Sequence, residues 1–125
     1  MRKPGATLTP QELAIMKIVW DLGETTVRDV YERLRTSRRI AYTTVLTMMG
    51  ILEQKGYLRK SSGTRAYVYR TVRPRQQVVT AMVREFVDRV FDGASAPLLL
   101  HLADGVRLSQ KDRAALKRII SETEE

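Results

Sequence analysis

Apolar and polar positions follow two periods along the chain, and the switches between them lay out the fold. Leu13, Met16 and Trp20, with Ile15, Val19 and Leu22, form a broad stripe at helical spacing. The stripe follows Thr9-Pro10-Gln11-Glu12: Thr9 suits the cap, Pro10 the first helical position, Glu12 the carboxylate of a capping box. Gly23 is its natural stop. Val27, Val30, Tyr31 and Leu34 recur at i, i+3, i+4 and i+7, which predicts a short second helix opened by Thr26, with Asp29 three residues on. A basic connection from Arg35 to Arg39 leads to a third helix, from about Tyr42 to Lys55. Val45, Met48, Met49 and Leu52 make its apolar face and Gly56 ends it. The period then shortens. Tyr57-Leu58-Arg59-Lys60 and Arg65-Ala66-Tyr67-Val68-Tyr69-Arg70 are β-prone and flank Ser61-Ser62-Gly63-Thr64, which predicts a β-hairpin.

Beyond Arg73-Pro74 the helical period returns. Val78, Val79, Met82, Val83, Phe86, Val87, Val90 and Phe91 form a long stripe closed by Gly93. Ser95-Ala96-Pro97 opens a short helix through Leu98–Ala103, stopped by Gly105. Ser109 with Asp112 opens a last helix, whose Leu116, Ile119 and Ile120 face a partner ahead of an acidic end. Three helices and a hairpin in this order predict a mainly α fold with a small β-hairpin wing: a winged helix-turn-helix followed by a C-terminal helical part. Residues 1–73 are the expected DNA-binding domain and 74–125 the expected dimerisation part. The last fifty residues are too few to enclose a core, so their stripes either fold back or meet a second copy. The second copy is favoured, through Val79, Met82, Val83, Phe86, Val90, Leu99, Leu102, Leu116, Ile119 and Ile120, because two-fold symmetry lets paired heads read a palindrome.

Charge sharpens this picture. Of the net +8 on 125 residues, the whole excess lies before the hinge: residues 1–74 hold fourteen Lys/Arg against six Asp/Glu, and residues 75–125 hold eight against eight. Within residues 33–75 eleven cations face the single acid Glu53. That density repels itself unless a polyanion compensates, and nucleic acid fits better than a merely solvated face because only one half is biased. The third helix carries Thr43, Thr44, Thr47 and Gly50 opposite its apolar face. A face that only meets water usually carries Lys, Glu or Gln; short hydroxyl side chains suit close approach to another surface. Packing on both sides is the competing explanation, and Leu46 and Ile51, which widen the apolar sector, keep it open.

Composition removes other classes. With no cysteine there is no disulfide scaffold, thiolate metal site or cysteine nucleophile, and one histidine, His101, cannot build a His-based metal cluster. The acids are dispersed and no glycine-rich phosphate loop occurs, so neither an enzyme nor a cofactor is expected. No signal peptide is read, and the longest apolar run, Ala96–Leu100, is far below the roughly 20 residues of a membrane span. A cytoplasmic protein is expected. Two alternatives to a DNA-binding repressor remain: a winged-helix protein-interaction module, and a ligand-responsive regulator with a pocket between its parts.

Leu8-Thr9-Pro10-Gln11-Glu12 with Val19-Trp20, Thr26-Val27-Arg28-Asp29-Val30, Ala41-Tyr42-Thr43-Thr44-Val45, Leu52-Glu53-Gln54-Lys55-Gly56 and Ala66-Tyr67-Val68-Tyr69 occur in that order. On these segments the chain resembles the bacterial penicillinase-repressor family, the BlaI/MecI-type transcriptional regulators, from Leu8 to about Ile120. The resemblance implies a homodimer that represses by occupying a promoter. It also implies that Tyr42, Thr43, Thr44 and Thr47 are the base-reading positions. Threonine donates or accepts at a base edge, and its methyl rests on thymine. Arg38, Arg39, Lys60 and Arg65 are assigned to phosphates, with Arg2 and Lys3 as a further flexible contact. Some relatives place a basic residue where this chain has Leu46 and Thr47, so arginine–guanine reading from this helix is not expected. A regulatory protease is the further partner that the resemblance implies, but relatives that are cut carry Asn-Phe where this chain has His101-Leu102.

Overall fold

In the computed structural model, which describes residues 8–62, 66–105 and 108–123, the capping signals act as the sequence predicts. Helix α1 spans Pro10–Leu22 behind the N-cap Thr9, whose hydroxyl accepts from the Glu12 amide while the Glu12 carboxylate accepts from the Thr9 amide. Gly23 ends it at φ +83°, a left-handed backbone that glycine adopts without strain. Thr26 caps α2, Val27–Leu34, through the Asp29 amide. Helix α3 spans Tyr42–Gln54 and stops at Lys55 and Gly56.

The wing strands are β2, Leu58–Ser62, and β3, Tyr67–Thr71, paired antiparallel from Leu58 opposite Thr71 to Ser62 opposite Tyr67. A third strand, β1 at Glu24–Thr25, joins β3 on its other side and gives the order β1-β3-β2. The hairpin is therefore one part of a three-stranded sheet. The two residues of β1 carry no period of their own; their pairing with Tyr69 and Arg70 holds them extended.

Ile15, Met16 and Val19 of α1, Val30 of α2, and Val45, Met49 and Leu52 of α3 are fully buried, with Tyr57 beneath the start of the wing. Burying such side chains stabilises by about 1.5–3 kcal/mol each before the entropy of ordering them is counted. The Trp20 indole N–H donates to the Arg73 carbonyl at 3.0 Å, tying α1 to the end of the wing.

Helix α4, Arg75–Phe91, begins directly after Pro74. Val78, only 2 % exposed, belongs to the same core, and Met82 packs against it. The chain accordingly divides into two compact units after Met82, Met1–Met82 and Val83–Glu125. In the second unit α5, Ser95–Gly105, packs with α6, Gln110–Thr123, and no residue of α5 is buried. Ser109 accepts from the Asp112 amide at the start of α6, as the spacing predicts. No helix among the described residues is long and apolar enough to cross a membrane.

Candidate nucleic-acid interface

Helix α3 turns Val45, Met49 and Leu52 into the core, so the opposite side of the same helix stands outward. Tyr42, Thr43, Thr44 and Thr47 are all exposed, and a Cβ built on Gly50 meets nothing within 4 Å. Packing on both sides of α3 within the first unit is thereby excluded. Between Tyr42 and Ile51 the helix carries no charged side chain. Its N-cap is Ala41, which makes no side-chain cap hydrogen bond. A Ser, Thr, Asp or Asn there stabilises a helix by about 1 kcal/mol, so α3 forgoes that contribution at its first turn.

Tyr42 is set by two neighbours. The Tyr31 ring meets it edge-on at 5.6 Å between centroids, and the Arg28 guanidinium lies 5.6 Å from its ring centre. In the sequence Arg28, a lone arginine on α2, looks like any solvated charge. Its position over Tyr42 places a cation at the entrance of α3.

The basic residues differ in what they touch. Arg38 and Arg39 are exposed on the connection before α3. Arg33 pairs with Asp21 at 2.9 Å, and Arg35 with Glu32 at 3.1 Å. Lys60 lies over the Tyr67 ring at 4.3 Å and 3.9 Å from Glu53, so it reaches an outside anion only by leaving those contacts. Arg65 lies outside the described residues, as do Arg2 and Lys3. On the wing the register sets Arg59 directly opposite Arg70, both exposed, with Glu24 beyond Arg70 on β1. Like charges opposite one another destabilise a strand pair, and an anion lying across them removes that cost. The strand alternation already contained this signal, because Arg59 and Arg70 each stand one residue away from an inward-facing Leu58 and Tyr69.

Lys55 has a different role from the other cations. Its ammonium donates to both oxygens of Glu12, each at 2.9 Å, and Glu12 is only 3 % exposed. Burial pushes the Glu12 carboxyl up, but the Thr9 amide and the Lys55 ammonium together outweigh it and hold the group below its ordinary value. The end of α3 is thereby clamped to the start of α1.

On α4 Val79, Val83, Phe86 and Val90 stand exposed at i, i+4, i+7 and i+11, while Met82 is half-buried in the first unit. In the second unit Leu99, Leu102, Leu116 and Ile120 are half-buried, and Ile119 and the unanticipated Leu100 are exposed. His101 is exposed with its ring edge-on to Phe91 at 6.4 Å. No cluster of potential metal ligands occurs among the described residues.

The penicillinase repressor model matches residues 8–122. A transcriptional regulator BlaI from Mycobacterium tuberculosis is 32 % identical over 115 residues, covering 90 % of this chain and 82 % of its own. The methicillin resistance regulatory protein MecI of Staphylococcus aureus is 18 % identical over 114 residues, covering 91 % and 93 %. An uncharacterized 16.5 kDa protein of Latilactobacillus sakei is 26 % identical over 114 residues, covering 91 % and 78 %. With a winged helix in the first unit, an outward uncharged face on α3 and a match over almost the full length, the chain belongs to the penicillinase repressor family of transcriptional repressors, which are not enzymes.

Proposed function

We propose that the chain represses as a homodimer on a palindromic operator, with residues 1–73 as the DNA-binding domain and 74–125 as the dimerisation part. Helix α3 enters the major groove and presents Tyr42, Thr43, Thr44 and Thr47 to base edges. Arg38, Arg39, Lys60 and Arg65 hold phosphates, joined by Arg59 and Arg70 on the wing. The observation that carries the reading is the contrast on α3: an outward face of short uncharged side chains, preceded by exposed arginines. Phosphate contacts position such a module and base contacts specify its site. The stripe Val79, Val83, Phe86 and Val90 supplies the second half of the argument, since apolar side chains at helical spacing gain most when a copy covers them.

Binding of the full chain to a duplex recovered by selection from a random pool, and to a random duplex, tests this reading. Thr44→Ala is expected to weaken the selected duplex about fivefold, the worth of one net hydrogen bond near 1 kcal/mol, and to leave the random duplex unchanged. Arg39→Ala is expected to weaken both alike and to reduce the salt slope by about one. Equal loss on both duplexes in the threonine variant moves recognition away from α3. An adaptor that binds only acidic protein partners enriches no sequence at all.

A further inference from the structure

Leu46 is the residue of α3 that neither core packing nor ordinary solvation explains. It is 46 % exposed, and Tyr42 and Ile51 on the same helix are exposed too. Single exposed apolar residues are common and need no account. Here, though, the apolar positions are interleaved with Thr43, Thr44, Thr47 and Gly50, and Thr43, Leu46, Thr47 and Gly50 stand at i, i+3, i+4 and i+7 on one outward stripe. The surface they form is rich in methyl groups and has no guanidinium, ammonium, carboxylate or side-chain amide before Glu53. Guanine is read in the major groove by bidentate Arg or Lys and adenine by bidentate Asn or Gln, and this stretch supplies neither. Beside the threonine hydroxyls, what Leu46 adds for a base pair is an apolar contact, and the one apolar group on the major-groove edge is the thymine C5-methyl. The open space at Gly50 lets the helix approach closely enough for that contact.

We propose that Leu46 is a specificity-determining residue of this repressor that reads the C5-methyl group of thymine in each operator half-site. The inference rests on the groove placement of α3 given above. The probe is the duplex recovered from random-pool selection with the full chain, remade with each thymine in turn replaced by deoxyuridine, which removes one methyl and keeps every base-pair hydrogen bond. Wild type is expected to lose about fourfold at one or two thymines per half-site, since a buried CH2-sized group is worth about 0.8 kcal/mol. Substitution of 7-deazaguanine at each guanine facing α3 is expected to cost no more than the one hydrogen bond a threonine hydroxyl makes, about fivefold, and to cost Leu46→Ala as much as wild type. Leu46→Ala is expected to bind the thymine and deoxyuridine duplexes equally, and to bind random DNA as wild type does. Indifference of wild type to every deoxyuridine, or a penalty kept in full by Leu46→Ala, overturns the methyl reading and leaves the placement of α3 standing. A pool that yields no preferred sequence overturns both.

Discussion

If the proposed dimer forms through α4, Phe86→Asp is expected to leave monomers at micromolar concentration and to lower operator affinity by at least about a hundredfold. Phe86 is 41 % exposed in the chain alone and lies between Val83 and Val90 on α4, with its ring 6.0 Å from that of Phe91. In a two-fold interface the same patch is used by both copies, so one substitution places two carboxylates against apolar surface. Burying an unpaired charge costs several kcal/mol; at about 3 kcal/mol per copy the dissociation constant rises by some four orders of magnitude. The operator loss follows because linked heads bind about 10²–10⁴ more tightly than separate ones. Phe86 contributes nothing to the first unit's core, so thermal unfolding of that unit stays as in wild type. Phe86→Leu, which keeps an apolar side chain there, is expected to sediment as wild type does. A Phe86→Asp chain that sediments as a dimer removes this face from the interface.

Lys55→Met is expected to give the largest loss of stability among the charged positions, about 2 kcal/mol, or roughly 8–16 °C in the melting temperature of a unit of this size. Removing one partner of a buried pair usually costs about 3–5 kcal/mol; the Lys55 side chain is a third exposed, which reduces the figure. The substitution leaves the buried Glu12 carboxylate with the Thr9 amide as its remaining donor of those seen in the wild type. The pH dependence weakens as well. In wild type the folded state holds Glu12 below its ordinary value of 4.5, so its contribution is present above that pH and is lost as the pH falls through the lower, folded value. Without Lys55 the causes that lower the group are reduced to the Thr9 hydrogen bonds while burial still raises it, so the variant is expected to lose less stability on acidification than wild type does. Glu12→Gln in the Lys55→Met background removes the stranded charge and recovers most of the loss. Unchanged melting with the wild-type pH slope contradicts a clamping role for the pair.

What could be read from the chain alone follows the range of the interactions. Thr9 with Glu12 and Thr26 with Asp29 are contacts between residues three apart, and both hydrogen bonds form where the spacing puts them. The periods of α1 to α4 and the hairpin were equally legible, since each period is local. β1 was not, because Glu24 and Thr25 are strand only through residues 44 or more positions on. The tie between Glu12 and Lys55 was hidden for the same reason, and by the local role that Glu12 already had in the cap. At Leu46 the sequence left two explanations open, core or contact surface, and only packing in three dimensions puts the side chain outside. Met82 shows the converse: its spacing continues the exposed stripe of α4, yet the first unit's core lies close enough to draw it in.

The number of chains bound to one operator decides whether two heads read it together. Sedimentation of the full chain with the selected duplex, and with the same duplex cut to one half-site, is the measurement. Paired heads predict two chains on a site whose halves repeat in inverted orientation about one helical turn, or a multiple of it, apart, and a loss of at least about a hundredfold on the single half-site. One chain per duplex, with equal affinity for the whole site and its half, means that a single head binds alone and that no paired reading of a palindrome occurs.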